Sequence, residues 1–264
     1  MNRRSLLILV LVMAVVLTGC DPDVEPKAVP TSTPSESPSA SPFPSPTPSQ
    51  SPETVTGSDC DNEAVAVANG ETISASSWSG KGADVAEVET AVVADRQAPL
   101  GCQVFLVATI GGVTSSNVIV GDIQLDLNPP QVRTLANVDG VEGPEAFVTV
   151  QSGASTQFGA LFLLDPVSQV TFGDPERGNG DLLAFGGSVT HLDGAACVPE
   201  EAGTVVISGA GSQGKRFRLE RRFYRFEDDL LVEVRLERSK ESFNELVNDY
   251  PELSSTVPFA NCPI

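Results

Sequence analysis

Residues 215–237 read KRFRLERRFYRFEDDLLVEVRLE, and this stretch decides the fold class. Aromatic and aliphatic side chains alternate with arginines along its first half, which is the two-residue period of a β-strand. The acidic run at 227–229 would make a turn, after which the alternation resumes. The stretch therefore predicts an antiparallel hairpin. Its strands are Lys215–Phe226 and Leu230–Glu237, and the inward face of the second carries Val232, Val234 and Leu236.

Similar short apolar runs, bounded by Gly, Asn, Asp and Pro, recur upstream of this hairpin. The stretches 104–116, 146–156 and 204–212 share one layout, in which an apolar strand is followed by a small-residue turn and a returning strand. The first two are spaced like the blades of a propeller, whereas the third breaks the period. We expect an all-β fold of mostly antiparallel hairpins, either propeller-like or a sandwich. Further strands are predicted at Gln103–Ile110, Val118–Leu125, Ala146–Val150, Gly159–Leu164 and Thr204–Ser208.

Helical spacing is confined to two segments, so at most one or two short helices are expected. Gly82–Asp95 has rough helical spacing but is rich in Val and could equally form a strand. Lys240–Asn248 has the clearer pattern, with Ser239 or Ser242 as its cap and Pro251 as its stop.

The N-terminus has the pattern of an export signal. Arg3 and Arg4 precede an apolar run, Leu6–Leu17, that is short for a membrane span. The run ends in Leu17-Thr18-Gly19-Cys20, which resembles the lipobox of bacterial lipoproteins. The resemblance implies that residues 1–19 are a signal peptide and that acyl chains on Cys20 anchor the chain to the cell membrane, facing outside the cytoplasm. An ordinary secretory signal is the alternative.

Residues 20–58 change composition to Pro, Ser and Thr. Such a segment buries too little apolar surface to offset its ordering entropy, and proline removes backbone donors. We therefore predict that the segment is a disordered stalk, which lifts the domain at residues 59–264 off the membrane. A docking peptide for a proline-reading module is the other interpretation.

Four of the five cysteines, Cys60, Cys102, Cys197 and Cys262, lie in the domain. An even count in an exported domain indicates disulfides, and three pairings are open. We favour Cys60–Cys102 and Cys197–Cys262, which would staple the two halves separately. Metal or redox thiols are disfavoured because the chain has no C-x-x-C motif.

Composition excludes several classes of function. The net charge of −19 argues against nucleic-acid binding through phosphates. A single His excludes a multi-histidine metal site, and an aromatic content of 6% is low for a stacking platform.

The segment Leu135–Val150, together with the hairpin after it and Gly187–Cys197, resembles actinobacterial secreted proteins and lipoproteins related to FG-GAP/VCBS repeats. In those proteins a calcium loop often precedes the hairpin, and residues 137–145 (NVDGVEGPE) take its place here. The resemblance puts Asn137, Asp139 and Glu145 at ligand-like positions, while Val141 and Glu142 replace an acidic ligand and the turn glycine. A loop with so few oxygens predicts a degenerate calcium site that keeps its turn, and no cofactor is expected. The family carries no activity that could be transferred.

No catalytic site is predicted. Ser188, His191 and Asp193 are the one grouping that contains the His, but closeness in sequence does not provide the geometry of a triad, and no G-x-S-x-G elbow is present. A loop-packing His is the simpler interpretation. The acidic residues will also form chance carboxylate pairs, and none stands out.

The uneven charge distribution is more informative, because nine of the 16 basic residues lie between Lys215 and Lys240. One interpretation is a basic patch that binds an anionic wall polymer or an acidic envelope protein. The other is a solvated face whose arginines pair with Glu220, Glu233 and Glu237 across the strands. The candidate binding residues are Arg216, Arg218, Arg222 and Arg225.

Three functions from different classes remain open. The first, which we favour, is a surface lipoprotein that presents a β-rich binding module in the cell envelope. The others are an envelope hydrolase with an unrecognised site and a purely structural envelope lipoprotein.

Overall fold

The computed structural model describes residue 60 and residues 63–79, 86–121, 123–174 and 180–263. The predicted signal peptide, the lipidation site at Cys20 and the stalk lie outside these residues, as do residues 82–85 of the first predicted helix. No described helix is both long enough and apolar enough to cross a membrane.

The described residues are mostly β-structure, as the sequence predicted. The first sheet follows a short helix, α1 (Glu63–Asn69), and its four antiparallel strands pair in chain order. They are β1 (Glu71–Trp78), β2 (Val88–Ala94), β3 (Val104–Ile110) and β4 (Val113–Val118).

The second sheet has ten strands. Neighbouring strands within this sheet run antiparallel, except β9 and β14, which pair in parallel through two residues each. The strands are β5 (Gln131–Ala136), β6 (Glu145–Ser152), β7 (Thr156–Leu164), β8 (Val167–Gln169), β9 (Thr171–Phe172), β10 (Leu183–Ser188), β11 (His191–Cys197), β12 (Thr204–Gln213), β13 (Arg216–Glu227) and β14 (Leu230–Glu241).

The two sheets pack face to face as a sandwich. Val92 and Leu106 of the first sheet lie in one buried cluster with Val148 and Phe162 of the second. Each of these strands alternates its side chains between two faces, so β6 and β7 also supply a second core. Phe147 and Leu161 point into that core, where Tyr224, Leu231 and Phe259 surround them.

A short segment ties the ends of the large sheet together. Its first part, β8, pairs with β7, and its second part, β9, pairs with β14. Because of this link the sheet curls around the second core, although it does not close into a barrel.

The C-terminal segment closes the other face of β11–β13. Helix α2 (Phe243–Asp249) begins at Ser242, whose side chain accepts a hydrogen bond from the Glu245 backbone in a capping box. A 3-10 helix, Pro251–Leu253, follows. Leu246 and Leu253 are buried against Leu219, which covers the apolar face of the hairpin.

Both disulfides that the sequence analysis favoured are present. Cys60 is joined to Cys102 beside the first sheet, and Cys197 at the end of β11 is joined to Cys262. The second disulfide fixes the end of the chain, where the Phe259 backbone N–H donates to the Ala195 carbonyl oxygen over 3.0 Å.

Three local predictions are wrong. Of the strand expected at Val118–Leu125, the described residues contribute only Val118, the last residue of β4, and a turn follows in which the Asn128 N–H donates to the Gln124 carbonyl. The hairpin expected at 204–212 is one continuous strand, because β12 is hydrogen-bonded along both edges, to β11 and to β13.

The third wrong prediction is that Val234 faces inward. Val234 lies at an irregularity in the pairing of β13 with β14 and is 47% exposed, whereas Leu231 is the residue of β14 that is buried. Of the doubtful helix Gly82–Asp95, the described part forms strand β2.

Candidate functional site

The two faces of β13 divide the candidate binding residues. Side chains alternate along a strand, so Arg216, Arg218 and Arg222 project from one face and Arg225 from the other. The face of Arg225 also carries Phe217, Leu219 and Phe223, which are buried. The structure therefore brings three of the four predicted residues together and separates the fourth.

Arg222 is enclosed by carboxylates. It donates to Glu233 over 2.7 Å and to Glu220 over 2.9 Å, and the hydrogen bond to Glu233 is the main reason that the pKa of Arg222 is raised further above its ordinary value. Arg238 donates to the other oxygen of Glu220 over 2.8 Å, and this bond is the main cause of a lowered pKa for that carboxyl. At Arg222 the contacts therefore agree with the second interpretation of the sequence, in which the arginines of this face pair with glutamates across the strands.

Arg218 and its neighbour Lys240 differ from Arg222. Both are exposed, and within the described part of the chain neither has a carboxylate oxygen within ion-pair distance. Arg216 has a long contact of 3.4 Å with Glu245 at the start of α2. The cations of this face that remain available to a ligand are thus Arg218 and Lys240.

Cross-strand register places these two cations beside the histidine. Lys240 lies opposite Arg218, Arg218 lies opposite Gly211, and Gly211 lies opposite His191. Directly opposed residues of antiparallel strands share a face, so the four form one row across β11–β14. In the adjacent row, Asp193, Gly209, Glu220 and Arg238 are opposed in the same way. We call these two rows the glycine-floored face.

His191 and Asp193 form a hydrogen-bonded pair at the edge of this face. Nε2 of His191 contacts Oδ2 of Asp193, whose side chain is 12% exposed. Burial raises the pKa of the Asp193 carboxyl, and the nearby His191 opposes that shift. Ser188 lies opposite His191 in the register, but its hydroxyl bonds to the Thr190 hydroxyl over 3.1 Å. The described contacts thus form a His–Asp pair that has no Ser nucleophile bonded to it.

The calcium-like loop uses its oxygens internally. Oδ1 of Asn137 accepts from the Gly140 N–H over 2.9 Å, and Oδ1 of Asp139 accepts from the Val141 N–H over 2.7 Å. Glu145 accepts from the backbone N–H groups of Val138 and Asp139. Among the described residues, no group of three or more His, Cys, Asp or Glu side chains is arranged to hold a metal ion.

Glu145 is nevertheless electrostatically unusual. It is 5% exposed, and burial raises its pKa to about 7 although the two backbone N–H groups favour the carboxylate. The charge of Asp139 raises the pKa further. The loop that resembles a cation site therefore holds one buried, protonatable carboxyl at its end.

A groove of about 580 Å³ lies on the opposite face of the hairpin, between β11–β14 and the C-terminal segment. Phe223 on its floor has the Arg235 guanidinium 3.8 Å and the Arg221 guanidinium 5.1 Å from its ring centre. Both arginines are bonded to acids: Arg221 to Glu237 and Glu252, and Arg235 to Glu201 and Glu237. Because its cations are neutralised locally, the groove is a weaker candidate for an anion than the glycine-floored face.

Sequence reasoning missed the two glycines and Lys240 as parts of a site. Gly209 and Gly211 were interpreted as a turn, although their two-residue spacing is also what a bare stripe on one face of a strand requires. Lys240 was placed in the predicted helix rather than at the end of β14.

Comparison with known proteins adds no functional information, because no family model, no curated protein and no solved structure matches this chain.

Proposed function

We propose that this chain is a lipid-anchored envelope protein whose β-domain is a binding module for an anionic envelope ligand, held at the glycine-floored face. In this proposal Cys20 carries the membrane anchor, and residues 20–58 act as the spacer that carries the domain away from the bilayer. The disulfides support an exported location, since such bonds persist in oxidising compartments.

One observation carries the proposal. On a protein with a net charge of −19, Arg218 and Lys240 stand side by side on an exposed face, and no described carboxylate lies within ion-pair distance of either. On the same face Arg222 and Arg238 are paired with carboxylates, so these two cations differ from their neighbours. Two unneutralised cations in one row can bind an anion by charge-assisted hydrogen bonds.

Co-sedimentation of the full chain with envelope fragments of the source organism tests the proposal. We expect retention that weakens as salt is raised, because screening reduces the attraction between exposed charges. The double variant Arg218→Ala/Lys240→Ala should lose most of this retention. Arg225→Ala is the matched control, since it removes an exposed arginine from the opposite face of the same strand.

Equal retention of the wild type and both variants would show that the glycine-floored face does not bind the envelope. No retention above background would exclude the binding module itself.

A further inference from the structure

The centre of the glycine-floored face is bare backbone. A Cβ atom built on Gly211 would meet no other atom within 4 Å, so the space above this residue is open. Gly209, two residues away on the same face, would place a Cβ 3.2 Å from Oδ1 of Asp193. The two glycines thus leave a shallow trough, walled by β11 on one side and by β13 on the other.

The walls of the trough carry groups of complementary kinds. In the row of Gly211, His191 lies on one side, and Arg218 and Lys240 lie on the other. Neighbouring strands are about 4.8 Å apart, so the backbones of His191 and Arg218 are separated by roughly 10 Å, which long side chains can bridge around one anionic group. Asp193 holds Nε2 of His191, which directs the other ring nitrogen away from that carboxylate.

The adjacent row opens into a recess of about 270 Å³ that is lined in part by Asp193, Ser208, Gly209 and Glu220. The carboxylates of Asp193 and Glu220 are hydrogen-bond acceptors. An uncharged ligand group with several hydroxyls would suit this recess, because hydroxyls donate to carboxylates without adding negative charge. The trough therefore has cations that can bind an anionic group of a ligand. Beside them it has carboxylate acceptors that can bind the hydroxyls of the same ligand.

We propose that the trough binds the phosphodiester group of a polyol phosphate, with the phosphate over Gly211 and the polyol hydroxyls in the recess. This inference rests on the proposed function and names the ligand class of the same face. A phosphodiester shares one negative charge between two non-bridging oxygens that point in different directions, so one can engage Arg218 and Lys240 and the other can accept from the His191 ring on the opposite side. A carboxylate presents both oxygens in one plane, and a single arginine can satisfy them.

Two sources share this chemistry, a polyol-phosphate wall polymer and the headgroup of phosphatidylglycerol. Titration of the full chain with poly(glycerol phosphate) oligomers and with phosphatidylglycerol vesicles distinguishes them. Inorganic phosphate is the probe that lacks the polyol, and poly-glutamate is the anionic polymer that lacks the phosphodiester.

The decisive variant is Gly211→Val, which fills the trough with a side chain that favours strands and meets no neighbour at its Cβ. We expect this variant to keep the thermal stability of the wild type and to lose at least about tenfold in affinity for the polyol phosphate, because the ligand's place is occupied. His191→Gln should lose roughly fivefold to tenfold, as expected for one charge-assisted hydrogen bond. Arg225→Ala should stay within about twofold of the wild type, since its charge lies on the opposite face.

Binding to one of the two sources that is lost in Gly211→Val supports the inference and identifies that source. Equal binding by wild type and Gly211→Val, poly-glutamate binding as tight as that of the oligomers, or an equal loss in Arg225→Ala would each overturn it. If envelope fragments retain the chain through Arg218 and Lys240 while neither polyol phosphate binds, the proposed function stands and this inference fails.

Discussion

Arg221 on β13 donates through Nε to Oε1 of Glu252 over 3.2 Å, which joins the long hairpin to the C-terminal 3-10 helix. Ser208 donates its hydroxyl to the same oxygen over 2.7 Å. The Glu252 side chain is only 3% exposed, and the Arg221 guanidinium lies 5.1 Å from the centre of the Tyr250 ring. Glu252 is thus a buried carboxylate with two donors on one oxygen, and its removal takes that acceptor away from both.

We therefore predict that Glu252→Ala lowers the free energy of unfolding by about 2–4 kcal/mol, since it leaves the buried Ser208 hydroxyl without its acceptor and removes the more buried of the two carboxylates that pair with Arg221. Urea unfolding should show a lower midpoint with an unchanged slope. Glu237→Ala is the control: it removes the second, exposed partner of Arg221 and should cost less than about 1 kcal/mol. A similar loss in both variants would contradict the assignment.

The buried Glu145 predicts a pH-dependent stability. Its pKa is raised from 4.5 to about 7 by burial, so the folded state binds this proton more tightly than the unfolded chain does. The contribution of Glu145 to stability is therefore fully present below pH 4.5 and is lost as the pH rises through about 7. The shift corresponds to about 3 kcal/mol over that window.

Glu145→Gln separates this effect from other titrations. An amide oxygen can still accept from the backbone N–H groups of Val138 and Asp139, but the side chain no longer ionises. We expect the wild type to lose stability relative to the variant between pH 5 and pH 8, measured by urea unfolding at each pH. A constant difference between the two proteins across that range would show that Glu145 does not titrate there.

The long hairpin illustrates how far the sequence predicts this fold. Alternation of aromatic residues and arginines depends on the two faces of a strand, so it predicted β13 and the burial of Phe217, Leu219 and Phe223 from local information, but not the burial of Tyr224 on the other face. The pattern could not reveal that Gly209 and Gly211 continue a strand, because their strand conformation depends on partners supplied by β11 and β13.

The candidate site was less predictable for the same reason. Arg218 and Arg222 are equivalent in the sequence pattern, and they differ only in the carboxylates that the register brings to them. Glu233 reaches Arg222 because the pairing of β13 with β14 shifts between Phe223 and Tyr224. His191 joins Arg218 in one row through two intervening ladders, which no spacing along the chain encodes.

The C-terminal disulfide should hold a segment that is also packed into the core. Phe259 is completely buried, with its ring centre 5.8 Å from that of Phe147, and Asn261 bonds to both the N–H and the carbonyl of Cys197. The variant Cys197→Ala/Cys262→Ala should lower the free energy of unfolding by about 4 kcal/mol, because the disulfide that it removes closes a loop of 65 residues.

Hydrogen exchange should locate the effect of that double variant. We expect faster exchange at the Phe259 and Cys262 amides, whose bonds hold the segment in place, and little change in β2 and β3. Cys60→Ala/Cys102→Ala is the matched control and should leave the exchange of these two amides as in the wild type. An unchanged rate in the Cys197/Cys262 variant would mean that packing of Phe259 alone is sufficient.

Two strand glycines provide the last prediction, because they differ in what lies above them. A Cβ on Gly194 in β11 would overlap the carbonyl oxygen of Glu252, whereas a Cβ on Gly211 in β12 would meet nothing within 4 Å. Neither substitution requires a left-handed backbone, so the two variants differ mainly in packing. The close approach at Gly194 is what lets the 3-10 helix dock on β11, and a backbone oxygen cannot move aside as a flexible side chain would.

Gly194→Ala should therefore cost at least about 2–3 kcal/mol, through displacement of the 3-10 helix and of the Arg221–Glu252 contact that it carries. Gly211→Ala should be neutral or stabilising by up to about 1 kcal/mol, because alanine reduces the entropy of the unfolded chain. Thermal unfolding of the two variants beside the wild type measures both effects. If Gly211→Ala were the more destabilising of the two, the space above the trough would be filled rather than open, and the ligand place proposed there would not exist.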